Sequence, residues 1–87
     1  MKVYVKLFAT LIRSLPDTIR ARYPDIRSGV PLTVELPEGS TLDDLVAHLD
    51  LPRQEVKVMF VNGRAQEADY RLSEDDQVGL FPPVGGG

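Results

Sequence analysis

The stretch STLDDLVAHL, which covers residues 40–49, predicts the main helix of this chain and decides the fold around it. Its apolar residues recur at the helical spacing i, i+3, i+4 and i+7: Leu42, Leu45, Val46 and Leu49. Thr41 and Asp44 have the spacing of a capping box, and the acids of the first turn suit the positive end of the helix dipole. Pro52 ends the pattern. We therefore predict an amphipathic helix with one face buried against another element.

Two strand patterns precede this helix. Residues 2–9 alternate between polar and apolar positions, with Val3, Val5 and Leu7 on one face. Residues 31–36 alternate in the same way, and Pro37-Glu38-Gly39 ends the second strand. The two strands are predicted to pair antiparallel. Between them, Pro16 and Pro24 interrupt a helical stripe, so the connection is predicted to hold one short helix at about 16–23.

Three further strand patterns follow the main helix. Residues 56–61 are almost continuously apolar, which predicts a central strand. Asn62-Gly63 is typical of a two-residue hairpin turn, because both residues tolerate positive φ, and a short strand at about 64–66 should fold back. Residues 78–81 form the last strand, which Pro82-Pro83 ends because proline donates no backbone hydrogen bond.

This order of elements predicts an α+β fold of the ubiquitin-like, β-grasp type. It has a mixed sheet of four to five strands, one main helix packed across it, and a short helix after the first strand. The first and last strands are predicted to pair in parallel. We expect one domain at 1–81 and a flexible C-terminal tail at 82–87.

Composition narrows the classes of function. The 87 residues include no cysteine, so a disulfide framework and a cysteine-based zinc site are excluded, and a reducing cytoplasm is expected. The net charge of −3 and pI near 5.0 argue against nucleic acid as the main partner. No apolar stretch is long enough to span a membrane. The connection at 13–30 carries four arginines against two aspartates, which we interpret as a solvated face.

The side chains offer few candidates for catalysis or metal binding. His48 is the only histidine and is predicted to be a partly exposed residue of the helix surface. Glu74-Asp75-Asp76 lacks the periodic ligand positions of a calcium loop and is predicted to be a solvated turn. We therefore predict no metal site and no bound cofactor.

The C-terminal glycines Gly85, Gly86 and Gly87 are the remaining candidates. A cloning remnant would also end in this way, but these glycines follow Phe-Pro-Pro-Val directly, with no spacer. Glycine has no Cβ, so a backbone of glycines passes through a narrow channel and is held there by main-chain hydrogen bonds. We therefore expect the α-carboxylate of Gly87 to lie on a slender arm that is long enough to enter a partner's active site.

The sequence resembles the MoaD/ThiS family of ubiquitin-like sulfur carrier proteins over nearly its whole length, except for about residues 13–30. The segments that carry the resemblance are residues 5–9, 36–45, 61–63, 72–78 and 80–84, followed by the terminal Gly86-Gly87. No single motif is specific, but the set in this order is.

The resemblance implies a chemistry for the tail. An E1-like enzyme uses ATP and Mg²⁺ to adenylate the terminal carboxylate, here that of Gly87, and a persulfide donor then gives a thiocarboxylate. In the molybdopterin branch the thiocarboxylate enters the large subunit of molybdopterin synthase and supplies sulfur for the dithiolene. The chain is then a protein cosubstrate or small subunit, not an enzyme by itself. Gly85 and Gly86 thread the tail, and the resemblance implies these partner-binding residues: Phe8, Phe81, Pro82, Pro83 and Val84.

Several alternatives remain open from the sequence. Phe8 and Phe81 would equally serve as ordinary core residues. Gly85 stands where many molybdopterin synthase small subunits carry a small non-glycine residue. Three functions other than the molybdopterin branch are also compatible with the sequence: a sulfur carrier for thiamin thiazole or cysteine synthesis, a ubiquitin-like modifier in which Gly87 forms isopeptide bonds, and a β-grasp binding module with an incidental tail.

Overall fold

Five strands and four short helical segments make up the fold in the computed structural model, which describes residues 1–83. The strands are β1 (Lys2–Leu7), β2 (Leu32–Glu35), β3 (Val58–Val61), β4 (Arg64–Ala65) and β5 (Gln77–Phe81). The α-helices are α1 (Asp17–Arg22) and α2 (Leu42–His48), and two 3₁₀ helices span Ala9–Ser14 and Arg53–Glu55. The sequence patterns did not predict the 3₁₀ helices.

The strands form one mixed sheet in the order β2-β1-β5-β3-β4. Strand β1 pairs antiparallel with β2 and parallel with β5, and β3 pairs antiparallel with both β5 and β4. The predicted β-grasp arrangement is therefore confirmed. Strand β3 lies inside the sheet, between β5 and β4, as predicted, although β5 is the middle strand. Strand β3 reads as continuously apolar because Val58 and Phe60 are half-buried on the second face of the sheet.

The hydrophobic core lies on the α2 side of the sheet. Alternate residues of β1 are fully buried, as the period-two pattern predicts, while their neighbours are half-buried or exposed. The apolar stripe of α2 belongs to the same buried cluster. The sheet and α2 contribute these core residues: Val3, Val5, Leu7, Val34, Leu42, Leu45, Val46, Met59, Val61, Val78 and Leu80.

The predicted helix cap and hairpin turn are both present. The Asp44 backbone N–H donates to Thr41 Oγ1 at 3.2 Å, and the Thr41 N–H donates to Asp44 Oδ2 at 2.9 Å, which completes the capping box. Asn62 and Gly63 have φ values of +51° and +84° between β3 and β4. Local sequence therefore specifies the start of α2 and the β3–β4 turn.

The connection from β1 to β2 differs in part from its prediction. Strand β1 ends at Leu7 instead of residue 9, because Ala9 has a φ of +53° and begins a 3₁₀ helix. Helix α1 agrees with the predicted short helix to within one residue at each end. Leu11, Leu15 and Ile19 are buried in the core. The connection is thus an integral part of the fold and not only a solvated face.

Candidate functional site

The last strand holds the start of the C-terminal segment firmly against its neighbours. The Lys57 N–H donates to the Phe81 carbonyl at 2.8 Å, and the Phe8 N–H donates to the Leu80 carbonyl at 3.1 Å. Beyond Phe81 the ladder stops, with Pro82 half-buried and Pro83 exposed. The predicted site residues Val84, Gly85, Gly86 and Gly87 lie outside the described residues. Their roles, and the division into 1–81 and 82–87, stay predictions.

Three phenylalanines cluster on the sheet face opposite α2. The Phe8 and Phe81 rings stack in parallel, with their centroids 4.4 Å apart and an interplanar angle of 2°. Phe60 meets Phe81 edge to face at 5.5 Å and 77°. All three are half-buried and none belongs to the core. Of the two alternatives for Phe8 and Phe81, the structure excludes core packing; their partner-binding role stays a prediction.

Gly79 lies beneath this aromatic cluster. A Cβ atom at residue 79 would be 3.4 Å from Phe8 Cε2 and 3.5 Å from Phe81 Cε2. The two rings therefore approach the backbone of β5 closely at this residue. Because residue 79 carries no side chain, the edges of the two rings lie beside a gap in the row of outward-pointing side chains along β5.

A shallow groove of about 680 Å³ runs along the same face. Besides the three rings and Gly79, the side chains of Tyr4 and Lys6 line it. The site residues predicted from the sequence did not include three that line this groove: Phe60, Tyr4 and Lys6. The signal was present, because Tyr4 and Lys6 alternate with the core residues of β1 and must therefore point away from α2.

The polar candidates outside this face have structural roles. His48 Nε2 lies 3.1 Å from the Tyr23 hydroxyl, at hydrogen-bond distance, so it joins the β1–β2 connection to α2. In the acidic turn, Asp76 is buried and accepts hydrogen bonds from the Ser73 N–H at 2.8 Å and from Asn62 Nδ2 at 3.0 Å. The predicted fully solvated turn is therefore wrong for Asp76, although Glu74 and Asp75 are exposed.

Residues 1–83 contain no group of three or more histidine, cysteine, aspartate or glutamate residues that could hold a metal ion. Within the same residues, every helix is too short or too polar to cross a membrane.

Known proteins resemble this chain in sequence and in fold. The sequence profile of the ThiS family matches residues 18–87. The comparison with curated proteins found no match.

Solved structures share the whole fold. A putative molybdopterin converting factor subunit 1 from Pyrococcus furiosus has a TM-score of 0.63 and 28% identity, over 97% of this chain and 99% of that one. SAMP1 from Haloferax volcanii has a TM-score of 0.68 and 23% identity over all of both chains. A complex of subunits 1 and 2 of the molybdopterin-converting factor from Helicobacter pylori matches with a TM-score of 0.58 and 19% identity, again over the full lengths.

The family match extends over most of the chain and includes the last strand, the two prolines and the terminal glycines. The β-grasp sheet and the similar structures agree with it. The chain belongs to the ThiS family and has the ubiquitin-like β-grasp fold.

Proposed function

We propose that this chain is a sulfur carrier whose reactive group is the C-terminal carboxylate of Gly87. The observation that carries the proposal is the extent of the family match, which runs through residue 87 and therefore includes Gly85 and Gly86. The anchored end of β5 supports it, because the backbone is held by its neighbours up to Phe81 and leaves the sheet only at Pro82.

The chemistry of such a carrier begins with activation, since a carboxylate is a poor electrophile with a poor leaving group. An oxygen of the Gly87 carboxylate attacks the α-phosphorus of ATP on an E1-like enzyme, and pyrophosphate leaves. The terminal sulfur of a persulfide donor then attacks the carbonyl carbon, and AMP leaves. A thiol of the donor cleaves the resulting sulfur–sulfur bond, which forms a disulfide and releases the thiocarboxylate.

This chain supplies the substrate carboxylate and the surface that positions it. ATP and Mg²⁺ belong to the activating enzyme, and in this proposal the chain binds no cofactor and acts as a protein cosubstrate. A chain without cysteine also suits the reducing cytoplasm, where we place it.

We further propose the molybdopterin branch, with the large subunit of molybdopterin synthase as the acceptor of the sulfur. Residues 80–84, Leu-Phe-Pro-Pro-Val, favour this branch, and so does the 28% identity to the Pyrococcus subunit 1. The subunit 1 of Helicobacter, which has the same fold, forms a complex with subunit 2. By analogy, the large subunit is the partner that we propose for this chain.

Two other functions fit the same family. Membership of the ThiS family is compatible with a sulfur carrier for thiamin thiazole or cysteine synthesis. A protein modifier that forms isopeptide bonds is the second, and small archaeal modifier protein 1 shares the fold of this chain. The modifier would be activated in the same first step, so the two classes differ only in what displaces AMP.

Chain-dependent exchange between ATP and pyrophosphate tests the activation step. With the E1-like enzyme of the same organism, we expect exchange to require the full chain. Deletion of Gly86 and Gly87 should abolish it. As a control, Thr18→Ala changes an exposed residue of α1 that does not line the groove, and should support exchange. Equal exchange with the full chain and the deletion variant would overturn the proposal.

A further inference from the structure

The outer sheet face has a pit at Gly79 that the register of the strands creates. Lys6 of β1 and Phe60 of β3 are the direct neighbours of Gly79 on either side. Gln77 and Phe81, two residues away along β5, point to the same face. Gly79 is thus a position without a side chain, surrounded by four side chains.

One wall of this pit is rigid and aromatic. The stacked rings of Phe8 and Phe81 are further braced by the edge-to-face contact of Phe60. A methyl group at residue 79 would just touch the two stacked rings, at 3.4 and 3.5 Å. A larger side chain would fill the pit or push the rings apart.

A positively charged side chain, Lys6, borders the pit on the β1 side. The Lys6 side chain is exposed, and within residues 1–83 no carboxylate lies close enough to form an ion pair with it. The pit therefore combines apolar surface on one side with an ammonium group on the other. This combination matches an apolar side chain that has a carboxylate beside it.

The position of the pit identifies the protein that would occupy it. Residues 82–87 span at most roughly 20 Å when fully extended. An enzyme that holds Gly87 in its active site therefore lies close to Phe81, which forms part of the pit wall. The groove extends along β5 to Phe81, and the tail begins at the next residue of the chain, so the enzyme that binds the tail also covers the groove.

We propose that Gly79 is a specificity-determining position. The pit above it receives one apolar side chain of the E1-like enzyme that activates the tail, while a carboxylate of that enzyme faces Lys6. This inference rests on the proposed function, since it assigns the occupant of the pit to that enzyme. Gly79 acts by leaving space and by positioning the Phe8–Phe81 stack, and takes no part in the chemistry.

The test measures KM and kcat for activation of the chain by the E1-like enzyme. For Gly79→Val we expect KM to rise about tenfold or more, as for loss of a central contact in an interface, with kcat nearly unchanged. Gly79→Ala fits the pit and should raise KM by less than about threefold. Ala47→Val is the matched control, because it adds bulk to an exposed residue of α2, on the other side of the sheet from the groove.

Substitutions of Lys6 test the same inference without changing the packing of the Phe8–Phe81 stack. The side chain is exposed, so Lys6→Glu should leave the fold intact, which thermal unfolding will check. We expect Lys6→Glu to raise KM about fivefold or more at low salt, and Lys6→Arg to stay near the wild-type KM.

The failure of this inference is distinct from the failure of the proposed function. If the wild-type chain is not activated at all, the proposed function is wrong and the inference falls with it. If the wild-type chain is activated but Gly79→Val, folded, keeps the wild-type KM, the inference alone is wrong. Should Gly79→Val fail to fold, an unchanged KM for Lys6→Glu overturns the inference.

Discussion

Asn62 shows how one residue serves both a local turn and a long-range contact. It adopts a φ of +51°, which asparagine tolerates better than most residues with a side chain. Its Oδ1 accepts a hydrogen bond from the Gln77 N–H at 3.0 Å, and its Nδ2 donates to Asp76 Oδ1 at 3.0 Å. The turn after β3 is thereby joined to the start of β5.

We predict that Asn62→Ala lowers the free energy of unfolding by about 2–3 kcal/mol, because both hydrogen bonds are lost and alanine disfavours positive φ. Asn62→Gly keeps the backbone conformation and should lose only about 1–2 kcal/mol. Urea unfolding of the two variants measures the difference. Equal losses would contradict a contribution of the positive φ to stability.

Only part of the role of Asn62 was predictable from the sequence. Asn-Gly between two apolar runs specifies a tight turn from local chemistry, so the turn was predictable. The side-chain bonds to Asp76 and Gln77 were not, because they depend on the pairing of β3 with β5. The same limit applied to Gly79, whose approach to Phe8 and Phe81 requires the parallel alignment of β1 and β5.

Among the elements, α2 and the β1–β2 connection differ in how far local sequence determines them. Helix α2 has a capping box, a regular apolar stripe and a nearby proline, and it forms almost as predicted. The connection contains two prolines and a 3₁₀ helix, and its conformation depends on burial of Leu11, Leu15 and Ile19. The conformation of the connection is determined by packing against the rest of the core, and sequence periodicity alone does not reveal that packing.

Ile19→Ala tests the structural role of the connection. The side chain is 1% exposed, so its truncation leaves a cavity, and we expect the free energy of unfolding to fall by about 2–4 kcal/mol. Thr18→Ala, at an exposed position of the same helix, should change it by less than about 0.5 kcal/mol. If chemical denaturation gives equal values for both variants, the connection does not contribute to the core.

At the scale of the whole molecule, the strand order brings together the residues of the proposed binding surface. Because β1 and β5 run in parallel, their C-terminal ends lie at the same end of the sheet, where Phe8 stacks on Phe81. The β-grasp arrangement was predictable, since each strand and helix had its own pattern. The pit at Gly79 was harder to predict from the sequence, because it depends on the register of β1, β5 and β3.

The central claim is that the chain carries sulfur on Gly87, and the intact mass of the chain tests it most directly. The chain is incubated with its E1-like enzyme, Mg-ATP and a persulfide donor, and its mass is measured before and after. We predict the mass increase that corresponds to replacement of one carboxylate oxygen by sulfur, located on Gly87 by fragmentation. An unchanged mass after ATP consumption, or only conjugates with lysines of other proteins, would contradict the account.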